Sequence, residues 1–282
     1  MIDDLNPVWG LHCSGGTALL TYQYPIARRL VETRGAPGYT IGVSSGLLIA
    51  AAVGMGPAGL DLLGRLILEV DGTKWFQSLS PGKSGLFSLK PLREKIVKHR
   101  FGEKLLIPVY VGLTDMATGE FRAVLLNELS FEDRVDAIIC SCTQPVIHET
   151  ARFQGAVCDD GGVRSILPPR PPGAQGDIVG ISSSPIEPRF RLPQRTQDEV
   201  NDAWERAEVA FACFMADKMS YDVEVLKRSA ESGGVNLWIY APKTWARVGK
   251  PFKASKDDMR WRLRSGSEDA LLPPRLQYLR RK

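Results

Sequence analysis

Three histidines, five cysteines and no apolar run of membrane length narrow what this 282-residue chain can be. An ordinary membrane span needs about 18 or more consecutive apolar residues. The longest tract here, Leu47 to Val53, is cut off by Gly54, Gly56 and Pro57. Met1 to Pro7 carries two aspartates and no cationic stretch ahead of an apolar run, so no secretory leader is expected. The cysteines (Cys13, Cys140, Cys142, Cys158 and Cys213) are odd in number and sit mostly among apolar neighbours. That pattern suits reduced, buried thiols in the cytoplasm rather than a disulfide framework. Cys140 and Cys142 lack a second Cys/His pair at zinc spacing, which argues against a structural metal. Charge of one sign is also scarce: 36 Lys+Arg against 32 Asp+Glu leave a net +4. A protein that neutralises phosphates shows a larger, clustered excess, so no nucleic-acid partner is expected.

What is present is an ordinary globular composition, 44% apolar and 24% charged. Short apolar runs alternate with helical periodicity, as in a βαβ architecture. Strands are expected at Val8–Cys13, Tyr39–Val43, Leu105–Leu113, Phe121–Leu125, Phe153–Cys158, Asp177–Ser182 and Val235–Tyr240. Helical spacing covers Thr17–Glu32, with a kink expected at Pro25, then Leu47–Ala52, Ala58–Val70, Leu92–Lys98, Glu132–Cys142 and Asp198–Ser229. Turns are read at Asp71-Gly72 and Ser80-Pro81-Gly82. With no repeat and an unbroken alternation, residues 1–282 read as a single α/β domain.

Three segments at the ends of predicted strands could carry chemistry. Gly42-Val43-Ser44-Ser45-Gly46 fits G-x-S-x-G at a strand-to-helix junction, where a sharp turn projects a serine hydroxyl and small flanking residues let strand and helix approach. Chance alone supplies about 0.2 such matches in a chain of this composition, so the context has to speak for it. A serine nucleophile needs a base. The hydrolase order of serine, acid, then histidine fails here unless the acid precedes His148, because no histidine follows it. Asp159-Asp160-Gly161-Gly162 offers a carboxylate instead, with glycines that allow a tight turn, although Asp-Gly is also ordinary turn chemistry. Ser14-Gly15-Gly16, between a strand and a helix, presents backbone N–H groups and a positive helix end to an anion. It lacks the spacing of a dinucleotide or P-loop fingerprint.

Taken in order, these pieces resemble the patatin-like phospholipase family. The matching residues are Ser14-Gly15-Gly16 with Tyr22-Gln23, Gly42-Val43-Ser44-Ser45-Gly46, and Asp160-Gly161-Gly162-Val163 followed by Leu167-Pro168. Thr114-Asp115, Thr118-Gly119-Glu120 and Ser141 to Pro145 also look like the family, so the core motifs fall within residues 8–185. The resemblance implies a three-layer α/β/α fold with a mostly parallel central sheet, with residues 190–282 adding helices and a strand. It implies a lipid acyl hydrolase of the phospholipase A or lysophospholipase type, with no cofactor, acting on a phospholipid or other lipid ester. Ser44 would be the nucleophile, Asp160 its general base, and the N–H groups of Gly15, Gly16 and Thr17 the oxyanion hole.

Two features depart from the family, the glycine loop and Pro25, which falls where the following helix normally runs unbroken. The family's glycine loop has a third glycine and then Arg-Gly, where this chain has Thr17, Leu19 and Leu20. The missing arginine removes a cation, and Thr17 favours a negative φ more strongly than glycine would. The rival reading is therefore a weakened, patatin-like binding module that holds a lipid or anionic ligand on the Gly15-Gly16 loop. Between Lys243 and Arg264, Lys250, Lys253, Lys256, Arg260, Arg262 and Arg264 interleave with Trp245, Phe252 and Trp261. That mixture suits either a solvated face or peripheral contact with a membrane surface. Oligomeric state leaves no mark in the sequence.

Overall fold

The structure is a computed structural model that describes residues 8–69, 77–78, 84–85, 87–186, 203–244 and 255–279. Its strands are β1 (Trp9–Cys13), β2 (Tyr39–Gly42), β3 (Gln77–Ser78), β4 (Phe87–Ser88), β5 (Val109–Asp115), β6 (Phe121–Leu125), β7 (Arg152–Phe153), β8 (Ala156–Asp160), β9 (Asp177–Ile181), β10 (Leu237–Tyr240) and β11 (Leu276–Tyr278). The helices are α1 (Leu20–Arg34), α2 (Ser45–Gly54), α3 (Pro57–Glu69), α4 (Lys90–Lys98), α5 (Phe131–Cys142), α6 (Ala203–Gly233) and α7 (Lys256–Asp269). Short 3₁₀ turns at Thr17–Leu19, Leu126–Glu128 and Gly161–Val163 join some of them.

Among the described residues one nine-stranded sheet runs in the order β11-β10-β9-β1-β2-β5-β8-β7, with β6 on the second edge of β5. The strands β10, β9, β1, β2 and β5 are mutually parallel. Their buried runs, such as Leu11, Ile41, Val111, Val179 and Ile239, are apolar because helices cover both faces. From β1 the chain steps through α1 to β2 and through α2 to β5 in one direction, and from β9 through α6 to β10 in the other. Right-handed crossovers moving in opposite directions place α1 and α2 on one face and α6 on the other. The result is an α/β protein with a mostly parallel sheet between two helical layers.

Most expected elements stand near their predicted positions, and the differences have physical causes. Helix α1 runs on through Pro25 to Arg34, after a 3₁₀ turn over Thr17–Leu19. Strand β5 begins at Val109 rather than Leu105, because Pro108 has no N–H to give a ladder. The run Phe153–Cys158 divides at the turn Gln154-Gly155 into β7 and β8, and both of those residues take positive φ. The basic, aromatic stretch near the C-terminus contains an unexpected helix, α7. Ser255 caps it by accepting the Asp258 N–H at 3.2 Å. Within it Arg262 is buried rather than solvated, and Gly266 lies against the backbone of Tyr22 in α1. Trp245, Lys250, Phe252, Lys253, Val70 and residues 71–72, 80–82 and 198–202 lie outside the described residues.

The loop after β8 is tied to the opposite layer by one carboxylate. Asp222, buried in α6, accepts the N–H groups of Ile166 at 2.6 Å and Leu167 at 3.1 Å, and pairs with Lys218 Nζ at 2.6 Å. Removing one member of a buried charge network leaves the others desolvated and unpaired. Asp222→Ala should therefore cost about 3 kcal/mol in urea unfolding, whereas Glu224→Ala, exposed two residues further on, should cost under about 0.5 kcal/mol.

Candidate active site

The register of the sheet brings the three motifs to one level. Cys13 in β1 lies beside Gly42 in β2, and Gly42 lies beside Val111 in β5. Past the ends of β1 and β2, Gly15 comes up against Ser44, while β5 runs on to Leu113. Leu113 is paired across the ladder with Asp160 of β8. Strand β6 fills one edge of β5, so β2 and β8 must share the other, β2 along residues 109–111 and β8 along 113–115. β2 stops at Gly42, and the antiparallel β8 enters the space it leaves.

At the end of β2 the chain turns so sharply that Ser44 takes φ 52° and ψ −138°. Such a conformation costs a serine about 1–3 kcal/mol. Packing imposes it from both sides. A side chain at Gly42 would meet the Leu47 backbone at 2.5 Å, and one at Gly46 would meet the Ser14 carbonyl at 2.3 Å. Ser44 stands at the N-cap of α2, yet its hydroxyl caps nothing and instead stands near enough to the Asp160 carboxyl to lower its proton affinity. Its N–H donates to Ser141 Oγ at 3.1 Å, and Ser141 Oγ donates to the Gly112 carbonyl at 2.8 Å. Ser141 thus closes the seam at Gly112, where β2 gives way to β8.

Asp160 is held as firmly. Its N–H donates to the Thr143 carbonyl at 2.7 Å, and its carbonyl accepts from Thr114 Oγ1 at 2.9 Å. Its carboxylate accepts the Gly162 N–H at 2.7 Å. Burial lifts its pKa from 3.8 to about 7, against the opposing pull of the hydrogen bonds from Gly162 and Ser44. The neighbouring Asp159 carboxylate adds a small further rise. Ser44 and Asp160 are only 6% and 4% exposed, so the pair lies at low local dielectric.

No histidine reaches this pair. His12 bonds the Pro168 carbonyl and the Tyr39 hydroxyl, each at 2.9 Å, and burial lowers its pKa to about 4. His148 accepts the Gln144 N–H at its Nδ1 and is likewise lowered to about 4 by burial. His99 caps the end of α4.

The glycine loop departs from the expected donor set. Gly15 N–H is already given to the Ile166 carbonyl at 2.9 Å, so Gly15 cannot serve an oxyanion. Its contribution is steric: a side chain there would press on Ser44 Cβ at 3.1 Å. The N–H groups of Gly16 and Thr17 donate to no partner among the described residues. Thr17 takes φ 52°, the opposite of the expected negative value, and its buried Oγ1 has no hydrogen-bond partner. The loop is pinned from beneath, where Gln23 Nε2 donates to the Ser14 carbonyl at 2.8 Å and Ser14 N–H donates to the Ile181 carbonyl at 3.0 Å.

Two residues on this scaffold escape a reading of the sequence. Asp222 shows only as an ordinary Lys218–Asp222 helical pair, and Ser183 only as the middle of Ser182-Ser183-Ser184 after a strand. Ser141 lies in a segment that carries the family resemblance, but no role attaches to it there.

No protein-family model and no curated protein matches the chain. Among solved structures the chain is similar to VipD from Legionella pneumophila, with a TM-score of 0.42 and 12% identity. The match covers 94% of this chain and 66% of that one, so the chain spans just under two thirds of its length. At that score the likeness carries no functional argument.

The raised Asp160 pKa makes a prediction about stability. The folded protein holds this proton up to about pH 7, whereas the unfolded chain releases it near 3.8, so stability is lost as pH rises through that window. Asp160→Asn removes the charge and keeps the acceptor. Its stability relative to wild type should rise by about 3 kcal/mol between pH 5 and pH 8.5, read by denaturant unfolding at both values.

Proposed function

We propose that the chain is a serine acyl hydrolase of the patatin-like kind, acting on phospholipid, lysophospholipid or related lipid esters. The observation that carries this is the meeting of Ser44, at a strained strand-to-helix turn, with a buried carboxyl whose pKa lies near neutrality. Ser44 Oγ attacks the ester carbonyl as Asp160 takes its proton. The N–H groups of Gly16 and Thr17 receive the oxyanion. Collapse expels the alcohol, which takes the proton from Asp160. Water, deprotonated by Asp160, then cleaves the acyl-serine ester, and the serine recovers its proton. Every bond made or broken is accounted for by these two side chains, water and backbone amides.

Lipid as the substrate class rests on the motif resemblance. Access to an interface is supported by the exposed Lys243, Lys256, Arg260, Trp261 and Arg264. Among the described residues no helix is long and apolar enough to cross a membrane. The unpaired amides of Gly16 and Thr17 also favour a second reading, a protein that binds an anionic or lipid ligand without turning it over.

A lipid panel read by mass spectrometry separates the two. Wild type should release fatty acid, and Ser44→Ala and Asp160→Asn should each lose at least about 10³-fold in kcat/KM while remaining folded. A fluorophosphonate should label wild type once per chain at Ser44. Because the base works deprotonated, kcat/KM should rise with pH through a single limb near 7. Binding of lipid with neither turnover nor labelling would establish the second reading.

A further inference from the structure

We propose that Ser183 is a positioning residue for hydrolysis at Ser44: its hydroxyl holds the Gly15–Gly16 peptide so that the Gly16 N–H faces the nucleophile. The inference rests on the reading of Ser44 as that nucleophile and adds a residue from a different strand to the site. Ser183 follows β9, is wholly buried, and donates from Oγ to the Gly15 carbonyl at 2.5 Å. It is itself fixed, because its N–H donates to Ser14 Oγ at 2.8 Å, and Ser14 Oγ lies 3.2 Å from both Ser183 Oγ and the Gly15 carbonyl.

Sheet order turns that bond into an aim. β1 lies between β9 and β2, so the loop after β1 has Ser183 on one flank and Ser44 on the other. In a trans peptide the C=O and the following N–H point in opposite directions, and the described chain has no cis bond. With the Gly15 carbonyl drawn toward the β9 flank, the Gly16 N–H is directed toward the β2 flank. A restraint is needed here because neither residue of a Gly-Gly pair has a Cβ to oppose rotation of the peptide. Rotated the other way, the same peptide would place the Gly15 carbonyl oxygen beside the developing oxyanion and repel it. The fit is tight, since a side chain at Gly16 would meet Ser183 Oγ at 2.4 Å.

The test compares Ser183→Ala and Ser183→Cys, which lose the strong donor at nearly constant volume, with Ser183→Thr, which keeps it. In the first two, kcat should fall about 10- to 100-fold, approaching the loss of one oxyanion donor. KM should stay within about twofold, and the pH limb should not move, because Asp160 is untouched. The rate of Ser44 phosphonylation should fall in parallel, and Ser183→Thr should recover most of the loss. Wild-type kcat in Ser183→Cys, or a loss that only tracks the unfolded fraction, would overturn the proposal. Should Ser183→Thr fail to fold, or wild type prove inert, a crystal structure of Ser183→Ala decides. A Gly15 carbonyl turned away from position 183 supports the restraint, and one left in place refutes it independently of activity.

Discussion

The site depends on an edge of one strand being shared by two others. β5 offers ladder positions from Val109 to Asp115, and β2 occupies only the first part of them. A parallel strand ending early leaves unpaired backbone groups in the interior, which buried sheets do not tolerate. β8 satisfies them from the opposite direction, and the register then sets Asp160 opposite Leu113, with its carboxyl near Ser44. The one carbonyl at the changeover, Gly112, is met by Ser141 Oγ, which also receives the Ser44 N–H. Ser44 and Asp160 are thus neighbours as a consequence of completing a hydrogen-bond ladder.

That placement lets the scaffold hold conformations that a peptide would refuse. Ser44 and Thr17 both have φ of 52°, an uncommon region for residues with a side chain. Each sits where the chain leaves a parallel strand for a helix, and at Ser44 the flanking contacts of Gly42 and Gly46 give no room for relaxation. Gly46 against the Ser14 carbonyl also packs the two turns against each other, so the serine turn and the glycine loop cannot move separately. Further out, Asp222 braces Ile166 and Leu167 from α6, and Ile166 in turn receives the Gly15 N–H. The strain at the centre is carried by bonds that begin on the opposite helical layer.

How much of this was legible in the sequence follows the range of each interaction. Gly42 and Gly46 were legible because the contacts that exclude a side chain lie at a strand-helix turn that G-x-S-x-G itself describes. Asp160 stood out because its glycines serve the local turn that its carboxylate caps at Gly162. The Gly15 amide was misread because its partner, Ile166, lies some 150 residues away, and no local pattern encodes that bond. The φ of Thr17 runs against the intrinsic preference that its residue type signals. Helix α7 was hidden by its own chemistry. Its buried positions are Met259, Arg262, Ser265, Gly266 and Asp269, so the inward stripe at helical spacing is mostly polar or small. A search for apolar periodicity passes over such a helix.

The absence of histidine from the pair becomes intelligible on electrostatic grounds. A base that works near neutral pH needs a proton affinity in that range, which imidazole has unperturbed and a carboxylate does not. Burial supplies the difference here, raising Asp160 to about 7, while the same burial drives His12 and His148 down to about 4. One solvent effect therefore acts with opposite sign on the two residue types and exchanges the order of their proton affinities. A carboxylate so raised is uncomfortable when charged, and it gains when it can share a proton with a hydroxyl beside it. Position and proton affinity thus come from one cause, the enclosure of β8 within the sheet, and opening that enclosure to water would weaken both together.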